Sequence, residues 1–318
     1  MRFTRTWNYL QPAAAVLAAC ALISCGSSTK PVATETAAPS VYATPAEASQ
    51  ALQSAVKAGD KAAMSKVLGA QSVDLLLAGD DAAATKAATD SFAAKYEQMN
   101  RWVPMKNGSQ ILYIGADNYA FPIPLAKDSA GKWKFDYAAG QQEITARDIG
   151  RNELLAIDAV SAIAGAEDKY FEKGHDGNPA HQYTQIIVSD PGKQDGLYWD
   201  APATQEASPL GNLSDFVSSP LAPLGPGEPQ VLDGYSLRIL NAQGDKAKGG
   251  ARSYVVNGKM TGGYAVIATP VTYRRTGIMT FIVAKDGVVY QQDLGANSAA
   301  AAAAIKDYNP GDGWTAAE

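Results

Sequence analysis

The chain has 318 residues with 27 basic and 32 acidic side chains, a formal charge of −5. That balance argues against a nucleic-acid partner, because phosphate binding needs a basic face. Only two cysteines are present, so stability rests on core burial rather than on a disulfide framework.

In chain order, the first element is a leader. Arg2 and Arg5 form a basic start, and an apolar run follows from Ala13 to Ile23. The run is too short to span a bilayer and has the length of a signal-peptide core. It ends in Leu22-Ile23-Ser24-Cys25, which resembles the bacterial lipobox. The resemblance implies cleavage after Ser24 and lipid attachment at Cys25, giving the chain membrane lipid as a partner. A plain secretory signal with an incidental cysteine is the alternative. An acylated cysteine carries enough chains for stable anchoring. Cys20 lies within the leader, and without Arg2 and Arg5 the balance is 25 against 32, or −7. No second apolar run reaches transmembrane length. Gly26 in place of an aspartate favours the periplasmic face of the outer membrane as the address. The expected organisation is a signal peptide over 1–24, a tether over 25–43, an α+β domain over 44–145 and a second α+β domain over 146–318. The tether is small, polar and proline-containing, a composition that stays extended.

The first domain opens on Thr44, Pro45 and Glu47, the pattern of a capping box with proline at N1. Leu52 and Val56 mark the apolar face of that helix, and Gly59 stops it. Asp60 starts a second helix with Met64, Val67 and Leu68 inward, ended by Gly69. A third helix is predicted over 81–99, with Phe92, Tyr96 and Met99 on one face. Strands are predicted at 110–114, 121–125 and 132–137, the last two joined by a turn at 128–131. Alternation puts Trp133, Phe135 and Tyr137 on one sheet face, either as a ligand wall or as ordinary core. Short helices followed by an antiparallel sheet, together with the phrase Ala55-Val56-Lys57-Ala58-Gly59-Asp60, resemble the cone-shaped fold of nuclear transport factor 2-like domains.

A long helix is predicted over 147–173. Ile149, Ala156, Val160, Ile163, Ala166 and Tyr170 recur at helical spacing, with Asp148 as N-cap and Gly174 as stop. Asn152, Glu153, Ala156, Ile157, Ile163, Ala166 and Tyr170 resemble the helix of type IV pilin-like proteins. Thr276-Gly277 before Met279–Val283, then Asp286-Gly287-Val288, resembles the terminal hairpin of that fold. Asp286-Gly287 is a hairpin signal in its own right. Further strands are predicted at 235–240, 252–256 and 264–269, and a short alanine helix capped by Ser298 and docked by Ile305 and Tyr308. The second domain is therefore expected to be a long helix on an antiparallel sheet. Prolines from Pro209 to Pro229 mark a long surface excursion.

The chain from Thr44 onward resembles an uncharacterised bacterial family, domain of unknown function 2950. The resemblance rests on Phe121–Leu125, Trp133–Asp136, Ile149–Leu154, Pro191–Trp199, Ser208–Gly211 and Met279–Val283. It implies an exported envelope protein and no particular activity.

For chemistry, the familiar nucleophile-elbow, phosphate-loop, zincin and dinucleotide patterns are missing from the sequence. His175 and His181 form a potential zinc pair without a third ligand at metal spacing, and Asp176 to Asn178 resembles only the start of a calcium loop. No metal and no cofactor is expected. The best candidate is the loop Pro191–Trp199, where Lys193, Asp195, Tyr198 and Trp199 lie between and beside two glycines. Either these side chains contact a partner, or Tyr198 and Trp199 only anchor the loop. The expected role is non-enzymatic binding or scaffolding toward an envelope protein or glycan. The alternative is an envelope hydrolase on glycan or peptide, using Asp195 with Glu153 as its acid–base pair.

Overall fold

A computed structural model describes residues 39–78, 81–176, 179–201, 206–211 and 222–317. Ser24, Cys25, the predicted leader and the predicted tether up to residue 38 lie outside the described residues. The chain divides into two compact units, 1–144 and 145–318, each combining helices with antiparallel sheet. The fold is α+β.

The first unit begins earlier than the sequence suggests. The Ser40 amide donates to the Lys66 carbonyl at 2.8 Å, and Tyr42 exchanges two backbone bonds with Trp133. Residues 39–43 are thus part of the unit rather than tether, because their backbone groups are paired. Helix α1 (Pro45–Lys57) starts as its capping residues dictate: Thr44 Oγ1 accepts from the Glu47 amide. The reciprocal bond goes from the Ala43 amide to Glu47 Oε2, one residue before the usual position. Asp60 caps α2 (Lys61–Leu68), and Gly69 at φ 85° lets α3 (Ala70–Leu76) follow at once. The sequence pattern does not predict α3, because the stop of α2 and the start of α3 are the same glycine. Helix α4 (Ala82–Gln98) is capped by Asp81.

Five strands complete this unit: β1 (Asn100–Pro104), β2 (Gln110–Ile114), β3 (Tyr119–Ala120), β4 (Leu125–Lys127) and β5 (Trp133–Phe135). Their order is β1-β2-β4-β5, with β3 also on β2. The predicted strand over 121–125 is not formed. Pro122 and Pro124 remove the donors a ladder needs, so regular pairing resumes only at Leu125. Trp133 and Phe135 do share a buried face, with Phe135 only 1% exposed. Phe135 joins a chain of ring contacts with Trp102, Phe121, Phe92 and Tyr96, which fills the core beneath the helices. Tyr137 is no part of that face, since it opens the next helix.

That helix, α5 (Tyr137–Glu172), is the longest element among the described residues and runs across the division between the units. It starts about three turns before Asp148. Asp136 is the N-cap, its carboxylate accepting from the Ala139 amide at 3.2 Å. Asp148 instead pairs with Arg151 at 2.9 Å on the helix exterior. Gly140 is required inside the helix: a Cβ there would lie 2.8 Å from Ile123.

In the second unit, β6 (Gln230–Leu232), β7 (Tyr235–Leu240), β12 (Ala265–Pro270), β13 (Met279–Ala284), β14 (Tyr290–Asp293) and β15 (Thr315–Ala316) form one antiparallel sheet. Its order is β15-β14-β13-β12-β7-β6. Two-stranded ribbons lie between β7 and β12: β8 (Ala242–Gln243) with β9 (Arg252–Ser253), and β10 (Val255–Val256) with β11 (Lys259–Met260). The predicted strand over 252–256 is thus two short ones, split at Tyr254. All six residues of β12 are buried, so both sheet faces are covered. The packed core includes Ala156, Val160, Ile163, Ala166 and Tyr170 of α5. It also takes in Ala302 of α6 (Ser298–Ala304), with Ile305 packed against it. Ser298 is the first residue of α6 and not its cap, which is Asn297. Arg238 on β7 donates to the carbonyl of Ala302 at 2.8 Å and also to that of Ile305. A cation there satisfies the open C-terminal carbonyls of a helix.

Asn152 and Glu153 fasten α5 to the sheet. Glu153 Oε1 accepts from the amides of Ile278 and Met279 at 2.8 and 3.0 Å, and Asn152 Nδ2 donates to the Thr276 carbonyl at 2.9 Å. Gly277 makes room for Tyr235, whose hydroxyl would lie 2.1 Å from a Cβ there.

Candidate functional site

The loop from Asp190 to Trp199 starts in a tight turn. Asp190-Pro191-Gly192-Lys193 carries proline at the second position and glycine at φ 79° at the third, the requirements of a type II turn. The Lys193 amide closes it on the Asp190 carbonyl at 2.9 Å. Lys193 Nζ lies 2.6 Å from Asp190 and 3.4 Å from Asp195, on a tip where its side chain is 54% exposed. Both acids hold the lysine above its ordinary pKa, Asp190 more strongly. Asp195 is less exposed, at 21%, and its Oδ1 accepts from the Asp190 amide, so it shapes the turn as well.

Beneath the tip the loop is bolted to the unit. Gly196 packs so closely that a Cβ would meet Ile186 and the Ser189 nitrogen at 2.9 Å each. The chain over 186–189 bonds to 196–198 through Ser189, Tyr198 and Leu197 amides. Thr184 Oγ1 donates to the Asp195 carbonyl at 2.7 Å, and the Tyr170 hydroxyl donates to the Gln194 carbonyl at 3.2 Å. Asp176 accepts from the Gln194 amide. Leu197 is fully buried and Trp199 only 7% exposed, with its indole N–H on the Glu206 carbonyl at 3.0 Å. Trp199 is therefore an internal anchor. Tyr198 is half-buried against the core, leaving Lys193 as the exposed member of the four.

Two polar side chains below the loop escaped the sequence reading. Glu167, on the face of α5 that carries Ile163 and Tyr170, is wholly buried. Its Oε2 accepts from the Thr184 amide at 3.1 Å, while Oε1 has no partner among the described residues. Burial holds this carboxyl well above the ordinary range, the Thr184 N–H opposing and Asp168 adding to the rise. His175 is 4% exposed and stacks on Tyr170 at 4.2 Å, with Trp199 at 5.5 Å. Neither ring nitrogen has a partner among the described residues. The signal available in sequence was Glu167 at an apolar helical position, one turn from Tyr170.

Other candidates separate. His181 is exposed and leans on Phe171, whereas His175 is buried on Tyr170; consecutive helix residues point about 100° apart, so the two rings occupy different faces. Among the described residues no three His, Cys, Asp or Glu side chains are placed to hold a metal. Asn178 of the calcium-like piece lies outside the described residues. Glu153 and Asp195 do not form an acid–base pair. Asp195 sits by Tyr170, 17 residues along α5 from Glu153 or roughly 25 Å at 1.5 Å per residue. Catalytic carboxylates work within about 10 Å. Among the described residues no helix is long and apolar enough to cross a membrane.

These features describe an α+β protein whose loop is braced from below and charged at its tip. The family model described as Protein of unknown function (DUF2950) matches residues 39–317, and the chain belongs to that family. No curated protein and no solved structure matches it.

Proposed function

We propose that this protein is a lipid-anchored bacterial envelope protein. Its loop Asp190–Trp199 is a contact surface for an envelope protein or glycan, in a binding or scaffolding role. The observation carrying the reading is the division of labour within that loop. Trp199, Leu197 and Gly196 are consumed in holding it, while Lys193 stands exposed on a type II turn between two acids. A rigid base with a charged tip suits recognition, because little order has to be acquired on binding. The anchor rests on Leu22-Ile23-Ser24-Cys25, and the outer-membrane address on Gly26.

The first unit is read as nuclear transport factor 2-like on the strength of helices covering one antiparallel sheet. The second is read as pilin-like because its Asn152-Glu153 pair ties the long helix to the hairpin strand.

Two measurements test this. An alkyne fatty acid fed to producing cells should label the parent and not Cys25→Ser; equal labelling refutes the anchor. Lys193→Glu should lower the recovery of partners cross-linked in intact cells at least several-fold, with an unchanged melting curve. Unaltered recovery refutes the contact surface.

A further inference from the structure

From Lys246 to Lys285 the chain carries seven cationic residues and no acidic one, in a protein of formal charge −5. The fold sorts these cations. Four of them, Lys246, Lys248, Arg252 and Lys259, fall on the two ribbons that precede β12, whereas Arg274 and Arg275 lie beyond its other end. All four are exposed. Among the described residues Lys248, Arg252 and Lys259 have no ion pair, and Lys246 has only Asp245 at 3.9 Å.

The ribbons are fixed rather than loose. Gln243 is 6% exposed, and its amide donates to the carbonyls of Lys248 and Gly250 at 2.9 and 2.8 Å. The Tyr254 hydroxyl, on a ring 2% exposed, donates to Gln243 Oε1 at 3.1 Å. Gly263 lies flat on that ring, where a Cβ would be 2.9 Å away. The second ribbon ends in Asn257-Gly258, both at positive φ, a tight hairpin tip. Directly before the tip is Val256, 49% exposed and opposite Lys259. Unpaired cations around an exposed aliphatic tip match a bilayer surface. Headgroup phosphates take the charge and the interfacial layer takes the valine.

We propose that the β8–β9 and β10–β11 ribbons dock the second unit on an anionic phospholipid surface. The partner follows from charge complementarity and from the lipid anchor at Cys25, and the inference rests on that anchor reading for its proximity to a bilayer. Acyl chains hold the protein to the bilayer at one point only; a second contact orients it. The electrostatic part acts only within about 10 Å at 0.1 M salt, so it needs that proximity.

The test uses the processed chain carrying Cys25→Ser, which removes the acyl anchor from the measurement. Sedimentation with vesicles of phosphatidylethanolamine and phosphatidylglycerol should pull the protein down at low salt and release it at high salt. Vesicles of phosphatidylcholine alone should bind at least tenfold less. Lys248→Glu/Arg252→Glu should lower partitioning by at least about tenfold, and Val256→Asp should lower it several-fold. The control Arg274→Glu/Arg275→Glu should change it less than twofold. Melting curves establish that each variant is folded. Absence of vesicle binding, equal binding to both lipids, or equal loss in the control overturns the proposal. Binding to a soluble anionic polysaccharide but not to vesicles also overturns it. Fatty-acid labelling of the parent is scored separately, so failure of the anchor and failure of the docking face are distinguishable.

Discussion

Replacing Glu153 tests whether α5 is locked to the sheet by one side chain. Its Oε1 accepts two backbone N–H bonds, from Ile278 and Met279, more than 120 residues along the chain. Hydrogen bonds to a carboxylate are worth about 1.5–3 kcal/mol each. Glu153 is half-buried, so the lower end applies, and losing both should cost about 3 kcal/mol. The alanine variant also leaves two donors at the start of β13 without their acceptor. Glu153→Gln keeps an oxygen in place but not its charge, and should lose about half as much. For a unit of this size 1 kcal/mol moves the midpoint by about 2–4 °C, so Glu153→Ala should lower the second unit's melting temperature by roughly 6–12 °C. Differential scanning calorimetry of parent, Glu153→Gln, Glu153→Ala, Asn152→Ala and the double alanine variant provides the measurement. Asn152 bonds Thr276 in the same hairpin, so the two alanine costs should be less than additive. A Glu153→Ala protein melting within about 2 °C of the parent would refute the role given to this contact.

The buried Glu167 should leave a signature in pH dependence. Its carboxyl is held well above the ordinary value of 4.5, so the folded state binds that proton more tightly than the unfolded chain does. The stability it contributes is complete below pH 4.5 and is lost as pH rises through the folded-state value. Glu167→Gln should therefore gain melting temperature relative to the parent as pH rises above 4.5, measured as paired thermal melts across pH. Parallel profiles would show that burial does not perturb the group. Trp199→Ala should cost about 3–5 kcal/mol in urea unfolding, as expected for removing a buried indole. A loss below 1 kcal/mol would mean the ring does not hold the loop.

Much of the architecture was legible because it depends on local rules. Thr44 with Glu47, Asp60, and the glycines at 59 and 69 placed the first two helices through capping and stop chemistry alone. Strand β7 and the Asp286-Gly287 hairpin followed from alternation and turn chemistry. Local rules misled where two signals competed. Asp148 has the right type for an N-cap, yet Asp136 caps α5, since a helix already under way absorbs an Asp–Arg pair on its outside.

The candidate site divides the same way. Its position, Pro191 to Trp199, could be read from a proline, two glycines and a mixture of charge and aromatics. Its wiring could not. Whether Trp199 faces solvent or core is decided by Glu206, whether Asp195 meets Glu153 by the length of α5, and whether Glu167 keeps its proton by what covers it. The sequence by itself determined the starts of α1, α2 and α4, the hairpin and the family. Only the tertiary structure decided which polar groups are buried and which cations stand together on the ribbons. Caps and turns are set by residues within four positions of each other, while burial and charge proximity depend on segments the fold brings together from further along the chain, 17 residues for Glu167 and Thr184 and 125 for Glu153 and Ile278.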